Sequence, residues 1–175
     1  MKSPTLMALA AAAAQLLSGC GWTPLYADVN TETTSEELRA IKIDPIPERI
    51  GQRLEIALRN SLDPTGEPMP TRYRLNTVLA VALSNLGIQS QGLATLGQLD
   101  ATATFRLIDL QTGGILLIST VHVANSFDLN PNQYSTVVGE DDAGVRSVVE
   151  LDQEIVARLT LFMQRRMAEK SAKPA

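Results

Sequence analysis

Cysteine, histidine and tryptophan occur once each in the 175 residues, as Cys20, His122 and Trp22. A lone cysteine closes no internal disulfide. One thiol and one imidazole also fall short of a zinc centre, which takes three or four protein ligands. Aromatic residues make up only 4%, and 15 basic residues face 19 acidic ones, for a net charge of −4. Such a balance argues against a nucleic-acid binder, whose footprint is a clustered basic surface. No segment reaches the roughly 20 apolar residues that a membrane-crossing helix needs. The Gly-x-Ser-x-Gly elbow is missing, and no glycine-rich phosphate loop follows a strand, since Gly113-Gly114 sits in a hairpin turn. His122 lies between Val121 and Val123 in a strand pattern, with Ser119 and Ser126 as ordinary strand neighbours. A triad needs far more arrangement than that. The chain therefore reads as a non-enzyme without metal or cofactor, with a periplasmic hydrolase using His122 as an alternative.

What is present begins at the N-terminus. Met1-Lys2 supplies a positive charge, and Leu6 to Leu17 is an uncharged run of Leu, Met, Ala and Gln. This is the layout of a secretory signal. Leu17-Ser18-Gly19-Cys20 then resembles the lipobox of bacterial lipoproteins. That resemblance implies cleavage before Cys20, a thioether from its sulfur to diacylglycerol, and an acylated new amino terminus. Three acyl chains anchor firmly, since each buried CH₂ contributes about 0.8 kcal/mol. The alternative is an ordinary signal cut in the Ala8–Ala14 tract, leaving a free thiol. Cleavage after residue 19 removes Lys2 and no acid, and it leaves enough chain for one domain with its own core. Gly21 is compatible with export to the outer membrane.

Residues 20–36 read as lipidated N-terminus and polar tether, with a short turn capped by Thr34 and Glu37 as the alternative. A single domain is expected over 37–168, and a disordered tail over 169–175. "LRAIKID" (38–44) alternates as a short strand. From Glu48 to Leu62 the period turns helical, with Ile50, Leu54, Ala57, Leu58 and Leu62 in one stripe. "TRYRLNTVLAVAL" (71–83), "LDATATFRLIDL" (99–110) and "ILLISTVHVANSF" (115–127) read as three antiparallel strands, the last two joined by the "QTGG" turn. In them Tyr73, Leu75, Thr77, Leu79, Val81 and Leu83 share a face, as do Leu99, Ala101, Ala103, Phe105 and Leu107. Leu86 to Leu99 carries no charge and three glycines, and reads as a flexible loop or frayed strand ends. A last helix carries Val148, Leu151, Ile155, Leu159 and Phe162, with Val145 extending the stripe. It starts somewhere between Tyr134 and Ala143, because Gly139 and Gly144 weaken its early part. The acids Glu140, Asp141 and Asp142 fit the dipole of a helix start. The expected fold is α+β, in the order β-α-β-β-β-α: a four-stranded, mostly antiparallel or mixed sheet with two amphipathic helices on one face.

Four stretches stand in order: Cys20-Gly21-Trp22-Thr23-Pro24-Leu25-Tyr26; Ile50-Gly51-Gln52-Arg53-Leu54 through Leu58-Arg59-Asn60; Tyr73-Arg74-Leu75 with Ala101 to Asp109; and Asn132 to Met163. Together they resemble the LptE family of lipopolysaccharide-assembly lipoproteins. Gly139 and Gly144 depart from that family's alanine-rich last helix. The resemblance implies a non-enzymatic outer-membrane role: a plug and assembly factor for an LptD-type β-barrel that inserts lipopolysaccharide into the outer leaflet. Its implied partners are that barrel, lipopolysaccharide and the membrane through the N-terminal lipid, with no nucleic acid. An auxiliary lipoprotein of an ABC-type lipid exporter is the second reading. By charge and strand position Arg72, Arg74 and Arg106 are candidate lipopolysaccharide contacts. Gly92 and Gly97, in the uncharged loop, are candidate barrel contacts.

Overall fold

The structure, a computed structural model, describes residues 30–66, 70–88, 94–129 and 132–172. Cys20, the stretch 1–19 read as a signal, and Gly92 lie outside the described residues. The elements are α1 (Asn30–Arg39), β1 (Ile41–Ile43), α2 (Arg49–Leu62), β2 (Tyr73–Ile88), β3 (Ala94–Asp109), β4 (Ile115–Asp128) and α3 (Gln133–Ala172). The sheet order is β1-β2-β3-β4, with β1 parallel to β2 and the other pairs antiparallel. The mixed α+β sheet is as the sequence implied, with a further helix ahead of β1.

Alternation decides which face is buried. In β2 and β3 the odd-numbered residues Tyr73, Leu75, Leu99, Ala101, Ala103, Phe105 and Leu107 are buried, and Val121, Val123 and Phe127 continue that face in β4. Leu54, Leu58 and Leu62 of α2 and Val148, Leu151, Ile155, Leu159 and Met163 of α3 close the same core. A 16-residue strand is about 53 Å long and a 40-residue helix about 60 Å. The long α3 therefore matches the long hairpin end to end. Asn125 pins the two: its Nδ2 donates to Ser147 Oγ at 3.0 Å in a buried contact.

Several sequence expectations need correction. Residues 30–36 are not tether, because Asn30–Arg39 is helical, with Thr34 buried and its hydroxyl 3.6 Å from Met167 Sδ. Its polar composition hid a helix that is held by tertiary contact rather than by an apolar stripe. Leu38 and Arg39 consequently belong to α1, and β1 is only three residues. Residues 169–172 are helical rather than part of a tail, since α3 runs to Ala172. Glu140, Asp141 and Asp142 lie inside α3 rather than at its start. Asp141 bonds Arg49 and, at 3.0 Å, Arg53, while Asp142 pairs with Arg146. Val145 is 43% exposed and stands off the buried stripe.

The 86–99 loop is the largest departure. Leu86 pairs with Leu96, Asn85 with Gly97 and Leu83 with Leu99, so strand pairing runs through most of it. Gly97 is buried in β3, opposite Phe127 of β4. A Cβ built on Gly97 would stand 2.5 Å from Phe127 Cζ, so the missing side chain is the seat of that ring. Glycine composition suggested a loop; a cross-strand aromatic makes it a strand.

Two carboxylates are held below their ordinary value. Arg53, hydrogen-bonded to Asp141, and Arg49 beside it hold the Asp141 carboxyl below its ordinary 3.8. The Gln111 N–H at 2.9 Å, with Thr112 and Arg166, does the same for Asp109 against the opposing effect of its burial. Each depressed value contributes stability that is present above 3.8 and lost as pH falls through the folded-state value. Asp152 has the opposite sign: burial raises its carboxyl, against a hydrogen bond from Ser61. Urea midpoints should therefore fall from about pH 5 to about pH 3, and Asp141→Asn should lower the midpoint at neutral pH while shrinking that fall. An unchanged acid slope in Asp141→Asn would show that the Arg49–Asp141–Arg53 cluster does not contribute.

Candidate functional site: a basic patch on the open sheet face

Covering one sheet face with helices leaves the even-numbered side chains of β1–β3, and those of most of β4, on the other. In successive rows across the strands this open face carries Asn76, Arg106 and Ile118, then Val78, Thr104 and Thr120, then Ala80, Thr102 and His122. Most are small or polar, and Thr104 and Thr120 share a hydroxyl hydrogen bond of 3.1 Å. Two apolar side chains stand out, Val78 at 63% and Ile118 at 58% exposure.

One end of this face is basic. Register places Lys42 of β1 directly opposite Arg74 of β2, and places Arg106 one step along, opposite Asn76. Neighbouring strands lie about 4.8 Å apart and diagonal pairs about 7–8 Å, so the three cations share one small area. All are exposed, and among the described residues none makes an ion pair or a side-chain hydrogen bond. The acid that follows Lys42 on this face, Asp44, accepts a hydrogen bond from Asn76 Nδ2 at 3.2 Å. Like charges opposite one another destabilise a sheet by a few tenths of a kcal/mol to about 1 kcal/mol. Among the described residues no ion pair repays that cost. An external anion would, and exposed Val78 and Ile118 beside the cations suit an anion attached to an apolar body.

The sequence candidates separate on this geometry. Arg74 and Arg106 come together. Arg72 does not join them: it precedes β2 and its Nη1 donates to Glu37 Oε1 of α1 at 2.8 Å. Arg72 instead belongs to a charged knot with Tyr73, Asp109 and Arg166 that ties α1 and the end of α3 to the base of the sheet. Burial, reinforced by the adjacent Glu37, raises the Tyr73 phenol above its ordinary 10.0. Lys42 was missed, although its place between Ile41 and Ile43 marks an outward strand residue. Gly97 is a structural position under Phe127.

His122 lies on the open face with its Nε2 3.4 Å from Asp100 Oδ1. Ser119 belongs to the helix-covered face, where its Oγ accepts from Arg158 Nη1 at 2.7 Å. The two therefore stand on opposite sides of β4. No group of three or more metal-ligating side chains occurs among the described residues. A cleft of about 480 Å³ lies between α2, β3 and α3, lined by Ile50, Leu99, Val137 and Gly144 with Glu48, Arg49, Glu140 and Asp141. Its Arg49 and Asp141 are already bonded to each other.

The fold defined by these elements is one that bacterial lipoproteins adopt. A protein from Caulobacter crescentus described as a putative lipoprotein, at 19% identity, matches 76% of this chain and 97% of its own with a TM-score of 0.63. A lipoprotein B from Nitrosomonas europaea, at 14% identity, matches 71% of this chain and 83% of its own with a TM-score of 0.55. A minor lipoprotein from Acinetobacter baumannii, at 21% identity, matches 69% and 90% with a TM-score of 0.50. At these identities the likeness is one of fold. No family model matches the sequence, and no curated protein does.

Proposed function

We propose that this chain is an LptE-like outer-membrane lipoprotein, anchored through Cys20, that partners an LptD-type β-barrel in assembling the barrel and inserting lipopolysaccharide. The role is non-enzymatic and uses no cofactor; the domain acts through its surfaces, and inside a barrel lumen a water-soluble plug with polar faces is at home. The lipobox-like Leu17-Ser18-Gly19-Cys20 and the four ordered family-like segments support the reading, and so does a fold shared with solved structures described as lipoproteins.

The observation that carries the lipopolysaccharide part is the unpaired cluster of Lys42, Arg74 and Arg106 beside exposed Val78 and Ile118. Phosphorylated sugar on an acylated body is an anion attached to apolar chains, which is the ligand such a patch suits. Replacing the three cations together by Glu should weaken binding of purified lipopolysaccharide at least tenfold, as expected if each charge-assisted contact contributes about 1.5–3 kcal/mol. The Arg72→Glu variant should be damaged in stability instead, because it breaks the contact with Glu37, and His122→Ala should change neither property. Unchanged binding by the triple variant would sink the patch.

A further inference from the structure

Among the described residues, α3 side chains cap one edge of the sheet and the other edge is open beyond β1. On the β4 side, Arg158 of α3 donates to Thr120 O at 2.7 Å, and Arg146 donates to Ser126 O at 3.0 Å. On the β2 side, β1 pairs only with Tyr73, Arg74 and Leu75. The bonds Tyr73 N–H to Ala40 O and Asp44 N–H to Leu75 O fix the direction in which the odd-numbered backbone groups of β2 point. The register with β3 is unbroken from Tyr73 to Leu86. The N–H and C=O groups of Thr77, Leu79, Val81, Leu83 and Asn85 therefore all point outward along this edge. Among the described residues they have no backbone partner.

Natural edges of this length are guarded by charge, proline or a bulge. This one has none: residues 75–99 contain no charged residue and no proline. The helix-facing row beside the edge is also incompletely covered. Leu79 and Val81 are half-buried and Leu83 is 54% exposed, although Leu99 opposite Leu83 is buried. A strand added here would satisfy the outward backbone groups and cover Leu79, Val81 and Leu83 with its own apolar row.

We infer that the β2 edge from Thr77 to Ile88 is a strand-addition site whose occupant is a transmembrane β-strand of the barrel polypeptide before the barrel closes. This rests on the barrel partnership proposed above and gives it a mechanism. The free run has the length of a membrane β-strand, about 9–11 residues, and such strands alternate apolar and polar side chains. Until closure they present an unpaired edge of their own, which an uncharged lane accepts without desolvating an ion. A closed barrel has no edge to offer, so the engagement is transient and ends with assembly.

Full-length lipidated protein in detergent, mixed with the urea-unfolded polypeptide of an LptD-type barrel, tests this by hydrogen exchange. The amides of Thr77, Leu79, Val81, Leu83 and Asn85 should slow, while the even-numbered amides of β2, already paired with β3, should not change. The protein should also speed barrel folding. Val81→Pro removes an outward N–H and no bond to β3, and should abolish both effects. Should that variant misfold, Leu83→Lys places a charge on the same edge and should give the same losses. Slowing that appears only with folded barrel, slowing that follows the protein's own concentration and thus marks a second copy as occupant, or no slowing at all would each overturn the inference. Recovery of a mature barrel with the wild-type protein from outer membranes reports separately on the proposed function. If a barrel is recovered and the edge stays unprotected, only the edge inference falls; if none is recovered, the partnership itself falls.

Discussion

Phe105→Ala should destabilise the domain by about 3–5 kcal/mol, a large share of the roughly 5–15 kcal/mol that holds a domain of this kind together. Phe105 is fully buried in the middle of β3, between Thr77 of β2 and Ser119 of β4 in register. Its ring fills the centre of the layer between sheet and helices, where Leu75, Leu107, Leu54, Leu58 and Leu159 are also fully buried. Truncation removes the ring from contact and leaves a cavity that a sheet held by neighbours on both sides cannot collapse. Asn76→Ala, on the open face, removes one 3.2 Å hydrogen bond to Asp44 and should cost about 1 kcal/mol or less. Urea midpoints of the two variants decide the assignment of faces. Equal losses would mean that the helices cover the wrong side of the sheet.

Gly97→Asp is expected to be the other severe change, and Gly144→Ala its counterpart with opposite sign. A Cβ at 97 meets the Phe127 ring at 2.5–2.9 Å, and a carboxylate there would also be placed in a buried site with no charge partner. Displacing the ring costs about 1–3 kcal/mol, and the unpaired charge adds to that. Gly97→Ala should show the steric part alone, and pairing it with Phe127→Leu should recover some of the loss. At Gly144 a Cβ would meet Ile50 Cδ1 at 3.5 Å, an ordinary contact inside a helix. Alanine there should stabilise by about 0.4–1 kcal/mol by restricting the unfolded chain. Thermal unfolding of the variants gives the signs directly. A stable Gly97→Asp protein would remove the close packing of β3 on Phe127.

Those two glycines also show where the sequence was readable. Alternation through Tyr73, Leu75 and Thr77 and through Leu99 to Leu107 identified the buried strand faces, because one face had helices to hide against. The same alternation overestimated Leu83, since burial there needs a neighbouring strand that β1, at three residues, does not supply. Gly97 looked like loop because its reason for being glycine lies in a ring 30 positions later in the chain. Helix α1 was hidden for a related reason: "NTETTSEELR" has no apolar stripe, and its anchors are tertiary ones, among them Thr34 against Met167, Glu37 with Arg72 and Arg39 with Asp63. In the candidate site, strand position singled out Arg72, Arg74 and Arg106 alike, and only the register sets Arg74 beside the row that holds Arg106. Strand position could not separate Arg72, whose partner Glu37 sits 35 residues earlier on a helix the sequence did not reveal. Alternation marks Lys42 as outward, but only the parallel pairing of β1 with β2 sets it opposite Arg74.

The most direct test is affinity isolation of the full-length protein from detergent-solubilised outer membrane, repeated with Cys20→Ala made together with the barrel. Recovery of a large β-barrel protein in stoichiometric amount, retained when the lipid is removed, is the expected result. Recovery of an inner-membrane ABC-type exporter instead, or of no barrel at all, would contradict the proposed partnership.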